Sequence, residues 1–267
     1  MIRVSASAFD VLWTDLGLGR PPVPLTVRSV GSTEDERAAI RAEVYRNLGE
    51  RGLFDGAAVD PALESRLRLL DGAERFVACE ALVDMTAEVP FRAVAAVRGR
   101  SGVLAVQPSQ TIALSGIRSG ELGTAIVEVL PELGAGPGYG VSLPAGQVTG
   151  AEDPLFAGRG AASVSSSVSA EASGPSGSTA SAASAAQVRE VLAIQARPVY
   201  AAGQFSAYAR GGDGRMARVG GFTWFDTDVG AYCASTSAGR GGQEWVNVSP
   251  VDGGRLAERI AGLFSSD

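Results

Sequence analysis

One pattern occurs twice in this chain, on either side of a segment with almost nothing to bury. In the first copy, helices with apolar stripes lead into four short apolar runs: "ERFVACEALVD" (74–84), "FRAVAAVRG" (91–99), "VLAVQ" (103–107) and "TIALSGI" (111–117). A further helix follows them. In the second copy, a helix at Gln187–Ala196 precedes "GQFSAYARG" (203–211), "ARVGGFTWF" (217–225), "GAYCAST" (230–236) and "EWVNVSP" (244–250), and a helix over Asp252–Phe264 closes the chain. Short apolar runs joined by turn-sized gaps read as antiparallel strands. The hairpins correspond as well, "FRAVAAVRGRSGVLAV" beside "FSAYARGGDGRMARV". A helix–meander–helix unit used twice predicts an α+β fold, its two antiparallel meanders either joined in one sheet or packed as pseudo-symmetric halves.

The helices are set by spacing and caps. A short strand at Ile2–Val4 leads to a helix over Ala8–Leu16, where Phe9, Leu12, Trp13 and Leu16 share one face and Gly17 and Gly19 end it. Thr33 caps the next helix and Glu36 completes a capping box. Ile40, Val44 and Leu48 form its stripe, and Gly52 closes it. Asp60 and Pro61 open a third, with Leu63, Leu67 and Leu70 inward. A fourth runs over Glu121–Leu130. In "RGRSG" (98–102), Gly99 and Gly102 are available for the positive φ of a hairpin turn. From Ala157 to Ala186, 24 of 30 residues are Ala, Ser or Gly, too little apolar surface to offset ordering entropy. The expected organisation is an N-terminal half at 1–148, a disordered linker at 149–186 and a pseudo-symmetric C-terminal half at 187–267.

Composition removes most chemistry. There is no histidine, and all 23 basic residues are arginine, so the usual general base, the commonest metal ligand and any lysine Schiff base are missing. Cys79 and Cys233 stand far apart with no C-x-x-C pattern, which gives no zinc motif. We expect no cofactor and no metal. The net charge of −6 argues against a nucleic-acid or anionic-membrane surface. No run reaches the ~18 apolar residues of a membrane span, and the N-terminus lacks the pattern of a signal peptide. The expectation is a soluble, cytoplasmic protein of unknown oligomeric state.

The most chemical stretch is "WFDTDVGAY" (224–232). Asp226 and Asp228 behind an apolar run resemble the opening motif of haloacid-dehalogenase-type phosphatases, which gives the alternative of a Mg²⁺-dependent D-x-D enzyme. In that family the motif ends a parallel strand early in the chain and works with a later basic residue. Here it lies between two strands of an antiparallel meander, near the C-terminus. A tight turn is the preferred reading, because Asp and Gly suit such corners.

The same stretch carries a second resemblance. "GQFSAYARGGDGRMARVGGFTWFDTDVGAYCAS", "EWVNVSP" and "RLAERIAGLF" resemble the C-terminal half of the EspG family. "FDVLWTDLGLGRPPVPL", "EDERAAIRAEVYRNLGERGL" and "GPGYGVSLP" resemble its N-terminal half. These are cytosolic chaperones of type VII (ESX) secretion. The resemblance implies a pseudo-two-fold fold with a central antiparallel sheet flanked by helical bundles, and no catalysis. It also implies a helical secreted substrate as partner, either a PE/PPE-like dimer or a WxG-type hairpin. By analogy the candidate binding residues are Arg98, Arg100 and Ser101 on the first hairpin. Trp224 and Trp245 are either interface anchors or core, and Phe205 and Phe222 are core.

Overall fold

The computed structural model describes residues 1–145, 178–239 and 242–265. Its helices begin where the caps require. Ser5 ends β1 (Ile2–Ser5), and its Oγ accepts the Ala8 N–H at 3.1 Å to start α1 (Ala6–Asp15). Thr33 Oγ1 accepts the Glu36 N–H at 3.2 Å at the start of α2 (Glu34–Glu50). The reciprocal half of the expected box falls mainly on the preceding residue, because the Glu36 carboxylate takes the N–H and hydroxyl of Ser32, with a weaker contribution from the Thr33 N–H. Asp60 caps α3 (Pro61–Asp71), with proline in its first turn. Leu63, Leu67 and Leu70 are fully or almost fully buried, each worth about 1.5–3 kcal/mol of burial.

Four strands follow: β2 (Arg75–Leu82), β3 (Phe91–Arg98), β4 (Ser101–Gln107) and β5 (Thr111–Arg118). After them comes α4 (Leu122–Val127), shorter than the helix expected there. The strand β6 (Val141–Pro144) lies in "GPGYGVSLP" and was not expected, because four residues carry too little periodicity to be read. The second copy supplies α5 (Ser178–Gln195), β7 (Val199–Arg210), β8 (Met216–Thr227), β9 (Gly230–Ala238), β10 (Glu244–Pro250) and α6 (Gly253–Gly262). Of the expected linker, residues 149–177 lie outside the described residues. From Ser178 the chain is helical, so the helix starts well before Gln187. The alanines that made this stretch look featureless are also the best helix formers.

The strand order is β1-β5-β4-β3-β2-β7-β8-β9-β10-β6, so the two meanders join in one antiparallel sheet and each gains one extra strand at its outer edge. By contacts the chain forms two units. The first comprises Met1–Glu132, Gly203–Gly221 and Gly253–Asp267, and the second Leu133–Ala202 and Phe222–Asp252.

In the first unit, α1, α2 and α3 cover one face of the sheet, where Phe9, Leu12, Leu48, Leu63 and Leu67 meet Val94, Ala96, Val103, Ile112 and Leu114. On β2, β3 and β4 rests α4, which packs in turn on α6. This double covering explains the sequence of β3, whose residues Ala93 to Val97 are all at most 2% exposed. Strands buried on both faces read as continuous apolar runs rather than alternating ones. In the second unit α5 packs on β6. Its core joins Val191, Phe225, Tyr232, Val246 and Val248 with Val141 and Leu143 of β6.

Candidate protein-binding site

The β3–β4 hairpin turns in two residues, Gly99 and Arg100, between the paired Arg98 and Ser101. Gly99 takes φ 58, while no described non-glycine residue has a positive φ. That pattern is a type II′ turn with glycine at its first central position. The Glu74 carboxylate receives the Gly99 N–H at 3.2 Å. Gly102, the second expected turn glycine, lies inside β4 and serves packing instead. A Cβ there would stand 2.8 Å from Ile117 Cγ1 and 2.9 Å from Val97 Cγ1.

Register places Arg98, Ser101 and Arg118 in one row across β3, β4 and β5, and residues in one row share a face of the sheet. Arg118 pairs loosely with Glu121 at 3.7 Å. Among the described residues neither Arg98 nor Arg100 has an ion pair or hydrogen bond through its guanidinium. An open groove of about 480 Å³ runs between this hairpin and α3. Arg98 and Ser101 form one wall, and Pro61, Glu64, Ser65, Arg68 and Leu69 form the other.

The two tryptophans belong to the second unit. Trp224 is 0% exposed, and its Nε1 has no hydrogen-bond partner among the described residues. As an anchor for a partner protein it is therefore withdrawn, since its whole surface is already spent on the core. Trp245 is half-buried on β10, opposite Pro144 and Ser237, with its indole edge against Gly239, and it keeps some surface. Phe205 and Phe222 are core, at 0% and 2% exposure.

The D-x-D stretch is a turn. Thr227 Oγ1 donates to the Gly230 carbonyl at 2.7 Å and accepts the Val229 N–H at 3.3 Å. Asp228 is engaged by Arg197 at 3.1 Å. Asp226 is half-buried on β8, and burial raises its pKa. Gly230 sits at φ 118, and a Cβ on it would stand 2.7 Å from Gly136 N. No cluster of three or more metal-ligating side chains occurs among the described residues.

Two features escaped sequence reasoning. The loop between β2 and β3 exposes Val83, Met85 and Val89, at 36%, 44% and 56%. Their signal was present in "VDMTAEVP", three large apolar residues interleaved with Asp84, Thr86 and Glu88. The α3 wall of the groove carried no signal, because Ser65 and Arg68 read as an ordinary solvated helix face. The second hairpin is tied to the end of α3. Arg210 Nη1 donates to the Gly214 carbonyl at 2.8 Å and its Nε to the Ala73 carbonyl at 3.1 Å, just past the end of α3.

The sequence model of the EspG family matches residues 5–262. No curated protein sequence matches the chain. Among solved structures, the fold is similar to that of the Mycobacterium tuberculosis type VII secretion system chaperone EspG5, determined in complex with a PE25–PPE41 dimer. The TM-score is 0.66 at 15% identity, over 98% of this chain and 95% of that one.

Proposed function

The chain belongs to the EspG family, and on that premise we propose that it is a non-enzymatic, cytoplasmic chaperone of type VII secretion. It binds a helical PE/PPE-like or WxG-type substrate, keeps it soluble and directs it to its secretion system. The observation that carries this reading is the family match over residues 5–262, joined by a fold that follows the chaperone EspG5 along nearly its whole length. No helix among the described residues is long and apolar enough to cross a membrane.

Three surfaces suit a protein partner. The apolar loop with Val83, Met85 and Val89 offers the exposed hydrophobic area that interfaces need. The hairpin offers Arg98, Arg100 and Ser101, with two guanidiniums lacking partners among the described residues. Trp245 offers a half-buried aromatic. The phosphatase alternative finds no support in the turn. Asp228 is held by Arg197, and the motif leads into an antiparallel hairpin.

The test is co-expression with helical-hairpin proteins from the same genome, followed by co-purification and calorimetry. A bound helical dimer that aggregates alone and stays soluble with this protein is the expected result. Arg98→Ala with Arg100→Ala should weaken binding by ~1–3 kcal/mol if the guanidiniums are desolvated on contact, and by less than ~1 if they lie at the rim. Failure to bind any such substrate overturns the chaperone reading.

A further inference from the structure

The groove between α3 and the β3–β4 hairpin presents more donors than acceptors, because its one carboxylate, Glu64, is already held by Arg68 while Arg98 has no partner among the described residues. Its hairpin wall carries Arg98 and Ser101, and its helix wall carries Ser65 and the ion pair of Arg68 with Glu64. Arg100 stands at the turn and Arg118 in the same row as Arg98 and Ser101. Three carboxylates lie near these four guanidiniums, and each already has a donor. Arg68 Nε holds Glu64 at 2.7 Å, the Arg118 N–H holds Glu121 at 2.9 Å, and the Gly99 N–H holds Glu74 at 3.2 Å. In a chain of net charge −6, this corner is locally cationic and short of acceptors.

We propose that this groove docks an acidic side chain of the partner protein. The Arg98 fork meets the carboxylate, the Ser65 and Ser101 hydroxyls donate to its remaining lone pairs, and apolar neighbours in the partner segment lie on Pro61 and Leu69. A guanidinium suits this role because its planar donors match the two oxygens of a carboxylate. The apolar part of the lining and the overall negative charge of the chain favour a protein segment over a polyanion such as nucleic acid, which the rest of the surface repels. The inference rests on the chaperone reading and deepens it, since it names the chemistry that the hairpin recognises in the helical cargo.

Two measurements test it on the full chain. In the first, protein with ¹⁵N-labelled arginine is titrated with an acetylated, amidated helical peptide of Ala and Leu carrying glutamates at i, i+4, and with its glutamine counterpart. The Arg98 Nε–Hε resonance, identified by its loss in Arg98→Lys, should move saturably with the glutamate peptide alone. The shift should shrink on adding salt. No saturable movement, or equal movement with the glutamine peptide, overturns the proposal. In the second, the co-purified helical dimer is titrated against wild type and Arg98→Glu, with a melting curve to show that the variant is folded. A loss of about threefold to tenfold, larger at low salt, is expected for a partly exposed charge contact. Equal affinity for a folded Arg98→Glu overturns the groove while leaving the chaperone reading intact. If no dimer binds wild type at all, the chaperone reading fails, and the peptide titration alone decides the groove.

Discussion

The Tyr232 hydroxyl donates to the carbonyl of Pro137 at 3.0 Å, and its ring rests on Gly136 so closely that a Cβ there would stand 2.6 Å from the hydroxyl oxygen. Two distant stretches of sequence, "GPGYG" and "WFDTDVGAY", are thus parts of one contact in the second unit. Tyr232 is 2% exposed and stacks at 5.8 Å on Phe225, so the ring has little room to move aside.

Gly136→Ala should therefore destabilise by ~1–3 kcal/mol, the cost of overpacking a fixed neighbour. Tyr232→Phe, which removes only the hydroxyl, should cost ~1 kcal/mol. Urea denaturation of both variants measures this. A Gly136→Ala midpoint equal to wild type would show that the ring yields.

A second prediction concerns α2, which buries only Val44 and Leu48 along 17 residues. Arg37 makes up much of the difference. Its Nη1 donates to Asp10 at 3.0 Å, to Ser29 at 3.0 Å and to the Val30 carbonyl at 2.9 Å, and its Nη2 donates to Thr14 at 3.0 Å. A lysine keeps the charge and loses the fork, so Arg37→Lys should cost ~1–2 kcal/mol. Arg46 pairs with Glu43 at 62% and 59% side-chain exposure, and Arg46→Ala should cost less than ~0.5 kcal/mol. Comparable losses in the two variants would mean that the Arg37 network contributes no more than a surface pair.

Much of this fold was legible because local signals agreed. The leucines of α3 at i, i+4 and i+7, its Asp–Pro start and the glycine of the first hairpin each pointed to what was found. The less legible parts have particular causes. β6 is too short to show a period, and α5 extends through residues whose composition looks like linker and whose alanines favour helix. Tryptophan fits core and interface alike, so the burial of Trp224 follows from pairing with Cys233 across the β8–β9 ladder rather than from its identity. The groove wall on α3 depends on which strands lie beneath the helix, a long-range fact that no window of sequence contains.

The third prediction is a pH effect. Tyr45 donates to Asp15 at 2.8 Å, where Arg41 also donates at 2.8 Å. Burial first, then the hydrogen bond to Asp15 and its charge, push the Tyr45 pKa from 10.0 up to about 12. Between these values the unfolded chain releases the phenolic proton while the folded one keeps it, so stability falls as pH rises. The contribution is complete below pH 10 and lost by about pH 12. Tyr45→Phe should flatten the decline of the urea midpoint across this window, leaving whatever the other tyrosines cause. An identical slope in both proteins would show that Tyr45 titrates as it does in the unfolded chain.

The last prediction separates a turn from an active site. Burial raises the Asp226 pKa above 3.8, against a smaller opposing effect from the Thr227 backbone N–H. A carboxyl with a raised folded pKa favours the native state fully only below its unfolded value, and that contribution is lost as pH rises through the folded one. At neutral pH the ionised Asp226 therefore opposes folding slightly. The turn bonds are made by Thr227 and Asp228 instead. Asp226→Asn, the same shape without the charge, should melt at or above the wild-type temperature at pH 7, with the advantage gone below about pH 4. Asp228→Asn loses the contact to Arg197, which is 45% exposed, and should cost less than ~1 kcal/mol. Neither substitution should change Mg²⁺-dependent turnover of a phosphate ester, which we expect to be absent in all three proteins. A melting temperature clearly lowered at pH 7 by Asp226→Asn would reveal a bonded carboxylate. Turnover present in wild type and abolished by Asp226→Asn would restore the enzyme reading, because a turn residue has no means of supporting it.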